Sequence, residues 1–101
     1  MLKVKTFKST IFKDHRGLYW TSWERKKNSL NFNHDKFSIS KKNTLRGLHG
    51  DSKTWKLVSC VFGKVFFVIV NYDRKSQDYL KFKTMILKQG ENMQVLIPPL
   101  H

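Results

Sequence analysis

Six short runs of β-branched and aromatic residues, each closed by turn-forming residues, constrain this chain more than any other feature. They are Phe32 to Ser40, Thr44 to Leu48, Trp55 to Phe62, Lys64 to Asn71, Leu80 to Leu87 and Met93 to Ile97. Val, Ile, Phe and Thr suit a pleated, half-buried surface. Gly50-Asp51-Ser52, Gly63, Asp73-Arg74-Lys75-Ser76 and Gln89-Gly90-Glu91-Asn92 separate the runs and supply the local hydrogen bonds and backbone freedom of turns. The pattern predicts an all-β chain, with Trp23 to Leu30 as the one stretch that reads as helical.

The runs differ in how they expect to be covered. Val65-Phe66-Phe67-Val68-Ile69-Val70 is apolar at every position, which predicts a strand covered on both faces. Leu80, Phe82 and Ile86 alternate with Lys81, Lys83 and Leu87, which predicts a strand with its lysine-bearing face in water. Strands of both kinds together imply a β-sandwich or a barrel with an interior cavity.

A chain of 101 residues holds one core and no separate modules. Its single cysteine, Cys60, makes no internal disulfide, and no apolar run approaches the roughly 18 residues that span a bilayer. Met1 to Lys8 has neither the apolar core nor the cleavage site of a signal peptide, so the expected location is the cytoplasm, without membrane attachment. Twenty Lys and Arg against seven Asp and Glu give a formal charge of +13. Such a chain attracts polyanions, and charge alone does not choose between nucleic acid, an anionic membrane and a small phosphorylated substrate.

The segment with most chemistry is Thr44-Leu45-Arg46-Gly47-Leu48-His49-Gly50-Asp51, followed by Thr54-Trp55-Lys56-Leu57-Val58 and Gly63. Arg46 and Lys56 near His49 disfavour protonation of its imidazole and keep a base available, as proton abstraction requires. A lone strand histidine is more often structural, and these residues alone leave both readings open.

Five segments in order resemble the RmlC-like family of nucleotide-sugar epimerases, the dTDP-4-dehydrorhamnose 3,5-epimerases and their relatives. They are Asp14-His15-Arg16-Gly17, Leu45 to His49, Lys56-Leu57-Val58 closing on Gly63, Val68 to Ser76, and Ile97-Pro98. The resemblance covers essentially the whole chain. It implies a cupin jelly-roll β-sandwich, with residues 1–101 forming the N-terminal part of a single domain whose C-terminal strands are missing. His34-Asp35-Lys36-Phe37, His49-Gly50-Asp51 and Thr54-Trp55-Lys56 resemble the branch that acts on GDP-linked 4-keto deoxyheptoses or related sugars. The dTDP-sugar enzymes carry Gln-Asp-Asn in place of His34-Asp35-Lys36 and Glu in place of Thr21, at positions that line the family's substrate site.

The chemistry implied is epimerisation of a nucleotide-diphosphate 4-keto sugar, in deoxysugar or surface-polysaccharide synthesis. His49 would take the proton at C3 or C5, and Lys56 would stabilise the enolate oxygen at C4. Arg16 and Arg46 would hold the diphosphate, with His34 a further contact. No cofactor and no metal are expected. Metal-holding cupins place His-x-His, Glu and Gly where this chain has His49-x-Asp51, Lys56 and Gly63, and an ammonium at the Glu position repels a divalent cation. The family's acid tyrosine, its second active-site histidine and the carboxylate that orients the base find no counterpart before His101, so full turnover is not expected of these residues alone.

Losing the last strands of a sandwich exposes an apolar face and an unpaired edge. A homodimer exchanging N-terminal strands, as in the family, is the expected partner arrangement. The competing class is a basic β-barrel binding single-stranded nucleic acid through Trp20, Trp23, Phe37, Trp55 and Phe66, and a third is a structural domain without a ligand. The ordered motifs favour the epimerase over a nucleic-acid partner.

Overall fold

Strands form where an apolar run meets a neighbour that can complete its backbone hydrogen bonds. The computed structural model describes residues 4–25 and 30–101. It contains β1 (Lys5–Lys8), β2 (Phe12–Asp14), β3 (Gly17–Tyr19), β4 (Lys56–Val58), β5 (Lys64–Val70), β6 (Phe82–Lys88) and β7 (Met93–Ile97). No helix occurs among the described residues, which bears out the all-β expectation. Half of the expected helix Trp23 to Leu30 lies outside the described residues; its described members adopt no regular structure.

β7 is the centre of an antiparallel sheet, between β1 and β4, and β5 pairs with β6 in a second, two-stranded sheet. Alternate residues of a strand share a face. Met93, Val95 and Ile97 of β7 therefore turn one side toward Phe67 and Ile69 of β5 and Met85 and Leu87 of β6. Ile69, Leu87, Val95 and Ile97 are the buried centre of this sandwich, with Val4, Val58, Cys60, Phe67, Met85 and Met93 packed around them. Each fully buried aliphatic side chain contributes about 1.5–3 kcal/mol, against a net stability of about 5–15 kcal/mol for a typical domain. A centre this small leaves little in reserve.

The loop between β5 and β6 is held by one buried amide. The Asn71 N–H donates to the Lys81 carbonyl (2.9 Å) and its own carbonyl accepts from Leu80 N–H (2.7 Å). Its side-chain oxygen accepts from Asp73 N–H (2.9 Å) and its Nδ2 donates to Ser76 Oγ (3.2 Å). Asn71 is 3% exposed, so these bonds offset the cost of burying it. The segment Val68 to Ser76 thus closes the hairpin and turns Tyr72 toward one end of the sandwich.

Several expectations about individual strands are corrected. Phe32 to Ser40 and Thr44 to Leu48 form no strand, because no neighbouring backbone pairs with them; Phe37, Ile39, Leu45 and Leu48 are all largely exposed. β5 is fully buried at Ile69 alone, and its other face is open at Phe66 and half-covered at Val68 and Val70. Its register sets Phe66 opposite Ile86 and Val70 opposite Phe82, and directly paired residues point the same way. Phe66 (68% exposed), Phe82 (66%) and Ile86 (54%) therefore line the outer face, and Leu87 faces the core. The wet face of β6 is consequently the opposite of the one read from its lysines. An exposed apolar face is present, as expected.

Three short strands had no counterpart in the reading of the sequence. β1 adds to the edge of β7, with Thr6 opposite Val95. β2 and β3 form a hairpin with His15 and Arg16 at its tip, Asp14 opposite Gly17, and Phe12 stacked on Tyr19 with centroids 5.3 Å apart. Gly17 takes φ +135°, which few L side chains adopt. The signal was the Asp-x-x-Gly turn, hidden by strands of only three residues.

Candidate functional site

The ends of three core strands deliver the site. Lys56 opens β4 opposite Ile97, which closes β7, and β5 runs into Asn71 and Tyr72. Lys56 is half-buried and shares the core-facing side of β4 with Val58. At this end the Leu100 N–H donates to the Asp51 carbonyl (2.9 Å), and the Tyr72 N–H donates to the Leu100 carbonyl (2.9 Å). Three loops, carrying His49 to Asp51, Tyr72, and Leu100 to His101, thereby meet beside Lys56.

Asp51 organises the loop that follows His49. Its Oδ1 accepts from the backbone N–H of Lys53 (2.9 Å) and of Thr54 (2.6 Å). The Lys53 and Thr54 amides, with the Thr54 hydroxyl and the Lys56 ammonium as smaller contributors, lower its pKa from 3.8 to about 2. A depressed carboxylate pKa gives a stabilising contribution that is complete above the ordinary value and is lost as pH falls through the folded value. The expected result is an Asp51 carboxyl carbon that titrates near pH 2 by NMR, with the Lys53 and Thr54 amide signals moving at the same midpoint. A midpoint near 3.8 would show that the turn does not hold.

The other sequence-derived site residues are distributed around this end and beyond it. His49 is exposed, two residues before Asp51. Arg46 donates from Nε to Ser40 Oγ (2.7 Å) and from Nη2 to the Ile39 carbonyl (3.5 Å), which ties the irregular 44–48 segment to the irregular 39–40 one. Arg16, at the tip of the β2–β3 hairpin, is held by the Asp14 carboxylate, with Nη2 2.6 Å from Oδ2. The Arg16 guanidinium and then its backbone N–H lower the Asp14 pKa. His34 is exposed in the irregular stretch before Ser40. Among the described residues, no hydrogen bond or ion pair joins Arg16 or His34 to the group around His49 and Lys56. No three His, Cys, Asp or Glu side chains cluster among the described residues in a way that could hold a metal ion, and no helix there is long and apolar enough to cross a membrane.

The His49 loop, Lys56 and the end of the Val68 to Ser76 segment meet at one end of a β-sandwich, while Arg16 lies on a separate hairpin. The family model for dTDP-4-dehydrorhamnose 3,5-epimerase matches residues 1–101. The chain belongs to the dTDP-4-dehydrorhamnose 3,5-epimerase family. It is 33% identical over 97 residues to the dTDP-4-dehydrorhamnose 3,5-epimerase of Salmonella typhimurium, covering 87% of this chain and 53% of that protein. The enzyme of the same name from Escherichia coli K12 is also 33% identical over 97 residues, with 87% of this chain and 52% of the relative covered. The chain spans about half the length of the curated relatives it matches.

Solved structures of this epimerase family give the same picture. The Bacillus anthracis dTDP-4-dehydrorhamnose 3,5-epimerase, with TDP and PPi bound, superposes with a TM-score of 0.88 at 26% identity, over 97% of this chain and 61% of that one. The Legionella pneumophila dTDP-6-deoxy-D-glucose-3,5-epimerase, in complex with dTDP-4-keto-L-rhamnose, gives a TM-score of 0.89 at 32% identity, over 96% and 56%. The cupin jelly roll expected of the epimerase family is therefore the fold of this chain, and the basic-barrel alternative finds no support. What the motifs did not reveal are the partners of the His49 loop. Gly50 read only as a turn former, and Tyr72 carried no role.

Proposed function

We propose that this chain serves in the epimerisation of a nucleotide-diphosphate 4-keto deoxysugar, with His49 as the base and Lys56 as the donor to the developing oxyanion. The observation that carries the reading is the convergence, in a member of this family, of the His49 loop and Lys56 at one end of the sandwich. The Lys56 ammonium acts on Asp51, two residues beyond His49.

The carbonyl at C4 makes the C–H bonds at C3 and C5 acidic. His49 takes the proton, the C–H electron pair moves into the ring bond, and the carbonyl pair ends on O4 as an enolate. The Lys56 ammonium hydrogen-bonds that oxygen, where negative charge develops. Return of a proton to the opposite face inverts the centre, and return of a solvent-derived one to the same face leaves an isotopic label. Arg46, Arg16 and His34 are proposed as contacts to the diphosphate and sugar, for which a guanidinium fork is well matched. Lys56 at the position of the cupin Glu ligand supports a reaction without metal or cofactor. The charged substrate class supports a cytoplasmic role, and the outward apolar face of β5 and β6 supports a homodimer. Residues 1–101 are read as part of a single cupin domain.

The test is solvent deuterium wash-in at C3 and C5, followed by NMR, with a dTDP-linked and a GDP-linked 4-keto-6-deoxy sugar in parallel. Incorporation with either supports the proposal and identifies the preferred nucleotide. Absence of both incorporation and binding would overturn it.

A further inference from the structure

We propose that Gly50, Tyr72 and Leu100 form a closed strap that positions His49, with Tyr72 as a positioning residue. The inference rests on the reading of His49 as the base and adds what holds it. The strap runs through three contacts. The Asp51 carbonyl accepts from Leu100 N–H, and the Leu100 carbonyl accepts from Tyr72 N–H, both at 2.9 Å. The Tyr72 ring returns to Gly50: a Cβ on that glycine would lie 3.1 Å from Tyr72 Cε1 and 3.3 Å from its hydroxyl. The same Cβ would lie 2.8 Å from the His101 carbonyl oxygen. That atom belongs to backbone, so a side chain at position 50 moves the loop.

Two further features say that the arrangement is held rather than incidental. Leu100 has φ +66°, a conformation that bulky residues keep only where the surroundings over-determine it. Both of its backbone polar groups are used by the strap. Tyr72 follows Asn71, whose four hydrogen bonds and near-complete burial make a rigid anchor at the end of β5. On its other side His49 follows a segment in which Leu45 is 92% and Leu48 75% exposed. Among the described residues that segment is tied, through Arg46 and Thr44, only to the exposed 39–41 stretch, whereas the Gly50 side is tied to the end of β5. A displacement of about 1 Å at a reacting group lowers rate by about a hundredfold, so the support on the Gly50 side decides how well His49 reaches a C–H bond.

The test compares Gly50→Ala, Tyr72→Ala and Tyr72→Phe in the full chain, isotopically labelled. In Gly50→Ala and Tyr72→Ala the amides of Tyr72 and Leu100 exchange with solvent at least about tenfold faster, while the Val95 amide in the core is unchanged. The His49 ring carbon signal sharpens as the imidazole gains motion. Wash-in of deuterium into the 4-keto sugar falls by about tenfold or more in kcat, with KM within about twofold. Tyr72→Phe keeps the ring and restores all three readouts. Unchanged amide exchange and His49 signals in both alanine variants would overturn the strap. So would faster amide exchange without any change at His49, since the strap would then hold only the 98–101 segment. Loss of wash-in in Tyr72→Phe with the amides protected would overturn the positioning role by giving the hydroxyl a chemical one. If the unaltered chain shows no wash-in, the base assignment fails, and the amide and ring signals still decide the strap.

Discussion

Replacing His49 by alanine is expected to lower deuterium wash-in at C3 or C5 by at least about a hundredfold, because a positioned general base contributes roughly 10²–10⁴ in rate. Nucleotide-sugar binding should persist, since Arg16, Arg46 and His34, the groups proposed to hold the diphosphate and sugar, are left in place. Lys56→Ala gives the complementary result. Removing one preorganised donor to a developing oxyanion costs about 10²–10³ in kcat, and Lys56→Arg restores charge but not the position of a single ammonium. Wash-in that survives His49→Ala would assign proton abstraction elsewhere. Equal loss of binding and exchange would mean that His49 holds substrate rather than reacting with it.

The second large effect is on stability and turns on adjacent residues of one strand. Leu87 is 2% exposed and Ile86 is 54% exposed, on opposite faces of β6. Leu87→Ala removes packing from a centre that holds four buried apolar side chains among the described residues and should cost about 2–5 kcal/mol, which is much or most of the margin of a small domain. Ile86→Ala should change stability by about 0.5 kcal/mol or less. Urea unfolding monitored by tryptophan fluorescence reads both. Equal losses, or the larger one at Ile86, would mean that β6 is turned over relative to the register in which Ile86 opposes Phe66.

That pair also shows how far the residues themselves could be read. Alternation located the strand β6 well, but its facing was decided by β5. Once Ile69 points inward, Met85 and Leu87 follow and Ile86 cannot, whatever its hydropathy. Thr44 to Leu48 has the composition of a strand, and β-propensity reports fitness for a pleated surface rather than the presence of a neighbour. His49 and Lys56 could be singled out as candidates because the motif carries them on short, fixed spacings. Tyr72 and Leu100 could not, since their meeting with the Gly50–Asp51 turn joins segments more than twenty residues apart, largely through backbone groups that every residue type possesses. The β2–β3 hairpin was hidden for a different reason: its strands are too short for a period to show.

The outward row of Phe66, Phe82 and Ile86 acquires a further meaning beside the chain's +13 charge. Like charge keeps copies apart, and salt shortens its reach to about 10 Å at 0.1 M. Raising ionic strength therefore weakens the repulsion between copies while leaving the attraction between their apolar rows intact. Colloidal stability and attraction for anionic partners then decline together, so the conditions that best preserve this chain as separate molecules are also those in which it most readily gathers phosphorylated solutes.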